Sequence, residues 1–204
     1  MGGELRGEAL RAAAADNTAV ARSREYALLA TLLARPPDEA LLKRLAIIEG
    51  DATPLGLTHK ALAAAAAAKD AVAVGREYFD LFIGVGRGEL LPYGSYYLTG
   101  FLHERPLARL RADLAGLGIE RVETRCEPED HAAILCEIMA GLVAGESAVS
   151  VERQRDFFDR HLAPWMAPFF ADLEAAKGAD FYRAVGAIGR LFIEIETHAF
   201  ALPW

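Results

Sequence analysis

The chain has 204 residues, of which 53% are hydrophobic, and a formal net charge of −7 at neutral pH. This length allows one well-filled domain or two small lobes that share a core. The acidic balance argues against nucleic-acid partners, because their binding depends on clustered Lys and Arg side chains. No apolar run is long enough to cross a bilayer, so we expect no stable membrane insertion.

The N-terminus and the two cysteines indicate where the protein resides. Residues 1–15 are mostly Gly, Ala, Arg and Glu, and we predict that they form a flexible lead-in. They lack the basic start and apolar core of a signal peptide. Cys126 and Cys136 are too few for a disulfide framework, so we predict a cytoplasmic protein.

The first half of the chain predicts helices separated by Gly and Pro. Apolar side chains recur every three to four residues, which indicates amphipathic helices. Residues of the kind that cap helices place helix starts at 16–18, Asp38, Thr58 and Asp70. The glycine-rich segment 84–88 ends the fourth of these helices. It lacks the Gly-Lys-Ser/Thr ending of a phosphate loop and follows a helix, so it does not favour nucleotide binding.

The second half continues the helical pattern after an aromatic turn at residues 91–100. Helices are predicted from Pro106, from Pro128, from about Ser150, and then twice more to the C-terminus. No stretch alternates in the way a strand would, so we predict an all-α helical bundle of eight to ten helices. This bundle is one domain over 16–204, or two lobes. The lobes would be residues 16–118 and 128–204, joined by a hinge at 119–127.

The stretch Glu127-Pro128-Glu129-Asp130-His131 concentrates three carboxylates and one imidazole. Proline and acidic side chains both suit the first turn of a helix, so we predict that Pro128 opens a helix with Asp130 and His131 in that turn. One interpretation is a plain helix start with solvated acids. The other is a functional pair, in which the Asp130 carboxylate favours the protonated form of His131.

Local patterns do not indicate an active site. Ser95 is not in a nucleophile elbow, and a metal site would require Asp130, His131 and His198 to meet in space. We therefore predict a protein that is not an enzyme. Its acidic and aromatic middle suits a peptide with apolar and basic parts, whose arginines would pair with carboxylates of the central stretch. The alternatives are a metal- or nucleotide-dependent hydrolase that uses Asp130 and His131, or a non-catalytic helical interaction module.

Five segments resemble successive motifs of the TorD/DmsD family: 78–84, 92–95, 127–131, 154–165 and 181–182, the last of which opens the final helix. The resemblance covers the chain from about Tyr26 onward. It implies a cytoplasmic, all-helical chaperone for redox-enzyme maturation. Such proteins bind a molybdenum-cofactor oxidoreductase, through its twin-arginine signal peptide or its apo-enzyme, and assist cofactor insertion before export or assembly.

The resemblance also implies a binding site and an oligomeric state. The residues that fall on the family's client-peptide motifs are Tyr93, Ser95, Glu127, Pro128, Asp130 and His131. No cofactor is implied, apart from the weak guanine nucleotide binding proposed for some members, and the chain is expected as a monomer or a domain-swapped homodimer. Two positions depart from the family pattern, Val85 in place of proline and Gly94 in place of an acidic residue.

Overall fold

Helices make up the regular structure of the chain. The computed structural model describes residues 2–120, 127–145 and 149–202, with side chains from Asp16 onward, and within these ranges it contains ten α-helices and no extended strand. This confirms the predicted all-α class. The helices are α1 (Gly2–Ala34), α2 (Glu39–Leu45), α3 (Pro54–Ala68), α4 (Ala71–Tyr78), α5 (Gly94–Thr99), α6 (Arg105–Gly116), α7 (Ala132–Ala144), α8 (Val151–His161), α9 (Met166–Ala175) and α10 (Phe181–Ala201), with a π-helical turn over Phe79–Ile83.

Most helix starts lie where the cap residues predict them. Asp38, Asp70 and Ser150 each accept a backbone N–H from the first turn of α2, α4 and α8. Helix α3 is different, because it begins at Pro54 and not near Thr58. Thr53 is its cap, and Thr53 Oγ1 accepts the Gly56 N–H at 3.1 Å. Proline at the first helical position has the φ angle that this start requires.

The bundle is built on three helix pairings. α1 lies along α7, where the Ser23 hydroxyl donates to the Ala140 carbonyl at 3.0 Å. α10 packs against α9 and α3, and Gly189 permits the close approach to α9, since a Cβ there would lie 2.2 Å from the Phe170 ring. The large side chains with almost no exposure include Trp165, Tyr26, Tyr182, Phe158, Phe169, Phe170 and Phe181.

A buried carboxylate determines where α10 begins. The Glu77 side chain on α4 accepts the backbone N–H groups of Asp180, Phe181 and Tyr182 at 2.8, 3.2 and 2.7 Å. These N–H groups have no acceptor within the helix itself. Lys69 lies 3.2 Å from the same carboxylate and compensates its charge. Glu77 therefore links the N-terminal end of α10 to α4, in the first half of the chain.

Helices of both predicted lobes contribute to the same hydrophobic core. Helices from both sides of the predicted hinge contact one another, since α1 packs on α7 and α3 packs on α10. The hinge at 119–127 lies largely on residues 121–126, outside the described ranges. The backbone of α1 is helical from Gly2, so the helix start predicted at 16–18 is wrong. The flexibility of residues 1–15 and the two lobes stay predictions.

None of the described helices combines the length and the apolar character needed to span a bilayer.

Candidate functional site

Two segments that are far apart in sequence meet at an isolated antiparallel β-bridge between Tyr93 and His131. The Gly94 N–H donates to the Asp130 carbonyl at 2.9 Å, and a second backbone hydrogen bond of 2.8 Å lies on the other side of the bridge. The bridge brings together all the residues that the sequence singled out: Tyr93, Ser95, Glu127, Pro128, Asp130 and His131.

The bridge also changes where α7 begins. The helix starts at Ala132, so the prediction that Pro128 opens it is wrong. Pro128 lies in a turn, and its carbonyl accepts the His131 N–H at 3.1 Å. His131 is the N-cap, with φ −67° and ψ 136°. Pairing with Tyr93 requires this extended backbone, and the helix can begin only after it.

The His131 ring is buried and neutral. Its Nδ1 accepts the Ala133 N–H at 3.1 Å, which leaves the ring hydrogen on Nε2. Burial lowers the pKa of His131 to about 4, although the nearby carboxylates of Glu127 and Asp130 act to raise it. Desolvation therefore outweighs the carboxylates, and the interpretation of His131 as a protonated partner of Asp130 is wrong.

The Tyr93 ring lies on the same side of the bridge as His131, with ring centroids 5.1 Å apart in an edge-to-face arrangement. The Tyr93 hydroxyl donates to Glu127 at 2.5 Å, and Glu127 is exposed. Burial, reinforced by Glu127, raises the pKa of Tyr93 well above its ordinary value, so the hydroxyl keeps its proton. Glu129 is buried and pairs with Arg111 at 2.8 Å. Of the three carboxylates in the central stretch, Glu127 is thus the accessible one.

The Asp130 side chain lies on the side of the bridge opposite to Tyr93 and His131, because successive side chains alternate along extended backbone. Its Oδ2 accepts the Ser95 backbone N–H at 2.7 Å and thereby holds the start of α5. Its other oxygen, Oδ1, is buried and has no hydrogen-bond partner among the described residues, and the same is true of the Ser95 hydroxyl. Asp130 as a whole is 3% exposed.

A cavity of about 390 Å³ lies on this side of the bridge, between α5, α6 and the chain around Trp165. Its buried lining contains Asp130, and its exposed rim contains two guanidinium groups. The complete lining is Gly94, Leu98, Pro106, Arg109, Leu110, Ala112, Asp113, Asp130, Leu135, Arg160, His161 and Trp165.

The far wall of the cavity carries a second carboxylate that is already paired. His161 Nε2 lies 2.8 Å from Asp113 Oδ2, and Arg160 lies 3.4 Å from it. Burial lowers the pKa of His161 despite Asp113, so a neutral ring donates this hydrogen bond. The Trp165 indole N–H donates to the His161 carbonyl at 2.7 Å. Gly94 lies against the indole, since a Cβ there would be 3.0 Å from Trp165 Nε1.

This arrangement suits binding better than catalysis. Asp130 and His131 both accept backbone N–H groups, and a neutral His131 with a pKa of about 4 is a poor general base near pH 7. Among the described residues, no three His, Cys, Asp or Glu side chains are grouped in a way that could hold a metal ion. His198 does not join Asp130 and His131, because it lies in the last turn of α10 and contacts the Glu194 carbonyl.

The sequence did not reveal the cavity residues on α6 and α8. Asp113, Arg109 and Arg160 look like ordinary surface charges of amphipathic helices. His161 and Trp165 are part of the motif at 154–165, but that motif assigned them no role. A signal exists in the spacing of His161 and Trp165, which puts them on one side of a helical turn.

Comparisons with known protein sequences identify relatives of this chain. A family model described as "Nitrate reductase delta subunit" matches residues 48–171. "Chaperone protein TorD" from Vibrio cholerae serotype O1 is 28% identical over 131 residues, which are 60% of this chain and 60% of that protein. The protein of the same description from Vibrio parahaemolyticus serotype O3:K6 is 22% identical over 131 residues, 59% of this chain and 61% of its own length. The chain thus spans about three fifths of these relatives.

A solved structure has the same fold. It is the crystal structure of an Archaeoglobus fulgidus protein assigned to redox enzyme maturation, and it superposes with a TM-score of 0.57. The match covers 85% of this chain and 93% of that one, at 22% sequence identity. At this identity the likeness concerns the fold.

Proposed function

The chain belongs to the nitrate reductase delta subunit family, and from this we propose that it is a cytoplasmic chaperone for a molybdenum-cofactor oxidoreductase. It binds the catalytic subunit or its signal peptide and assists cofactor insertion before export or assembly. The observation that carries the proposal is the family match over 48–171, a range that contains the whole Tyr93–His131 bridge and the cavity beside it. The TorD chaperones similar to this chain support the same class of function.

The surface around the bridge has the chemistry that a client segment requires. Glu127 offers an exposed carboxylate next to the Tyr93 hydroxyl. Leu98 and Phe101 are 42% and 69% exposed, just after the bridge in the chain. A segment with basic and apolar parts is complementary to this combination, and the net charge of −7 favours its capture.

We propose binding without turnover. Tyr93, Ser95, Glu127, Pro128, Asp130 and His131 hold or support the client, and no resident metal or cofactor takes part. Weak guanine nucleotide binding remains part of the proposal, as does a monomer or a domain-swapped homodimer. Elemental analysis, nucleotide titration and light scattering of the purified protein test these three points separately.

Client capture tests the function. The tagged protein is recovered from its native cells, and the bound proteins are identified by mass spectrometry. We expect a molybdoenzyme catalytic subunit, with less of it on the double variant Glu127→Gln/Tyr93→Phe, whose side chains lie at the surface of the site. Glu49→Gln is the matched control, because Glu49 is exposed and distant in sequence. Absence of any molybdoenzyme, from cells that express one, would overturn the proposal.

A further inference from the structure

The outer face of α4 and of the π-helical turn that follows it carries an apolar stripe. Val72, Phe79 and Ile83 are 61%, 41% and 55% exposed. Their spacing of seven and then four residues places the three side chains on one side of the helix. The opposite side is packed, because Val74 and Leu81 are completely buried. Large apolar side chains aligned on an exposed face are typical of an interaction surface.

Two opposite charges accompany this stripe. Arg76 and Asp80 are both exposed and lie one helical turn apart on the same side of the helix. Within the part of the chain that the structure describes, neither side chain forms an ion pair. Gly75 lies on the same face, and no described atom comes within 4 Å of a Cβ built there. The face therefore offers one cation, one carboxylate and room for another backbone to approach.

We propose that this face binds a second copy of the chain, in a two-fold symmetric dimer in which α4 lies antiparallel to the partner's α4. With the symmetry axis midway between Arg76 and Asp80, each Arg76 faces the partner's Asp80. The two Phe79 rings meet near the axis, where Gly75 leaves space. A two-fold interface uses the same patch on both subunits and so requires a self-complementary surface. This inference goes beyond the proposed function and does not depend on it.

The balance of charges favours a second copy over a partner of one sign. A basic segment would leave Arg76 without a counter-charge, and an acidic segment would leave Asp80 without one. An uncompensated charge at the edge of an apolar contact loses hydration and gains nothing in return. An antiparallel copy of the same helix supplies both counter-charges at the required spacing.

The size of the stripe indicates a weak and reversible dimer. The segment from Val72 to Ile83 is about 17 Å long at the rise of an α-helix. One such helix pair buries less surface than a stable protein interface, so we expect a dissociation constant of about 10–100 μM. Both bundles stay intact in this dimer. It therefore differs from a domain-swapped homodimer, in which a segment leaves its own core.

Charge reversal tests the pairing, with sedimentation equilibrium as the measurement. We expect Arg76→Glu and Asp80→Arg each to weaken self-association by about 10-fold or more, because each makes both pairs of the dimer repulsive. Arg24→Glu is the matched control for Arg76→Glu, since it changes the net charge equally at an exposed position of α1. It should stay within about 2-fold of the wild type. Thermal unfolding of all variants verifies that the bundle is intact.

A mixture of the two reversed variants gives the sharpest comparison. When Arg76→Glu meets Asp80→Arg, both pairs across the interface become attractive again. We expect a heterodimer with an affinity within about 3-fold of the wild-type dimer, although each variant alone stays monomeric. The double variant Arg76→Glu/Asp80→Arg should regain self-association for the same reason. Non-specific apolar association would not depend on the order of the charges.

Three results would overturn the inference: a wild type that stays monomeric up to about 1 mM, a dimer equally strong in Arg76→Glu, or no heterodimer from the two reversed variants. A dimer that does not dissociate on dilution would also overturn it, because segment exchange is slow. The face would belong to the client if the wild type were monomeric and Arg76→Glu captured less molybdoenzyme than Arg24→Glu, and the second copy would then be wrong.

Discussion

Asp130 Oδ2 accepts the backbone N–H of Ser95 at 2.7 Å, and this contact joins the chain before α7 to the first turn of α5. The same carboxylate lines the cavity with its other oxygen, which has no hydrogen-bond partner in the part of the chain that the structure describes. Asp130 thus has a structural role and a proposed binding role. Removing its side chain would change stability and binding together, so the two roles have to be tested separately.

The first prediction separates these roles. Asp130→Ala should lower the free energy of unfolding by about 2–3 kcal/mol, because the buried Ser95 N–H loses its acceptor and α5 its cap. Asp130→Asn, which keeps an acceptor, should cost less than half of that. Urea titration followed by far-UV circular dichroism measures both. Equal stability of wild type and Asp130→Ala would show that the contact contributes nothing to the fold.

The second prediction concerns Glu77. Its carboxylate accepts three N–H groups at the start of α10, so Glu77→Ala should destabilise the protein by about 3 kcal/mol or more. Glu89→Ala is the control. Glu89 also accepts two backbone N–H groups, of Lys177 and Gly178, but it is exposed, and we expect about 1 kcal/mol or less. Chemical denaturation of the two variants should rank them in this order, and the reverse order would refute the argument from burial.

The third prediction concerns pH. The folded-state pKa of His131 is about 4, below its ordinary value of 6.5. Between these values the unfolded chain binds the proton and the folded chain does not, so stability is complete above about pH 6.5 and falls as the pH drops towards 4. The linked loss is at most about 3 kcal/mol.

The variant His131→Asn isolates this effect. Asparagine is a good N-cap and does not titrate in this range, so α7 keeps its cap. We expect the difference in unfolding free energy between wild type and His131→Asn to change with pH between about 6.5 and 4, in the direction of a relatively more stable variant at acid pH. Parallel stability profiles of the two proteins would mean that His131 titrates normally.

The fourth prediction tests the approach of α10 to α9. Gly189→Ala would place a Cβ 2.2 Å from the Phe170 ring, and the resulting overpacking should cost about 1–3 kcal/mol. Gly75 lies in α4, and no atom of the described side chains or backbone lies within 4 Å of such a Cβ. Gly75→Ala should therefore stabilise the protein by up to about 1 kcal/mol through helix propensity. Thermal unfolding of the pair gives the comparison, and a shift of the same sign in both would contradict it.

The sequence by itself determined the fold class and most helix limits, because apolar periodicity and capping are local properties. Ser150 caps α8 and Phe181 begins α10 as the residues indicate. The residues of the candidate site were also recognisable, since the motifs at 92–95 and 127–131 carry them. Their shared location at one β-bridge agrees with that selection, while their role in client binding stays a prediction.

Only the tertiary structure decided the backbone conformation, the protonation and the orientation of these residues. The start of α7 moved from Pro128 to Ala132 because Tyr93, 38 positions before His131, holds His131 extended. Burial by residues from distant helices reversed the expected protonation of His131. Because of the bridge, the Asp130 side chain lies on the side away from Tyr93 and His131. There it lines a cavity together with residues of α6 and Trp165. Desolvation and cavity shape depend on contacts between segments remote in sequence, and no local pattern encodes them.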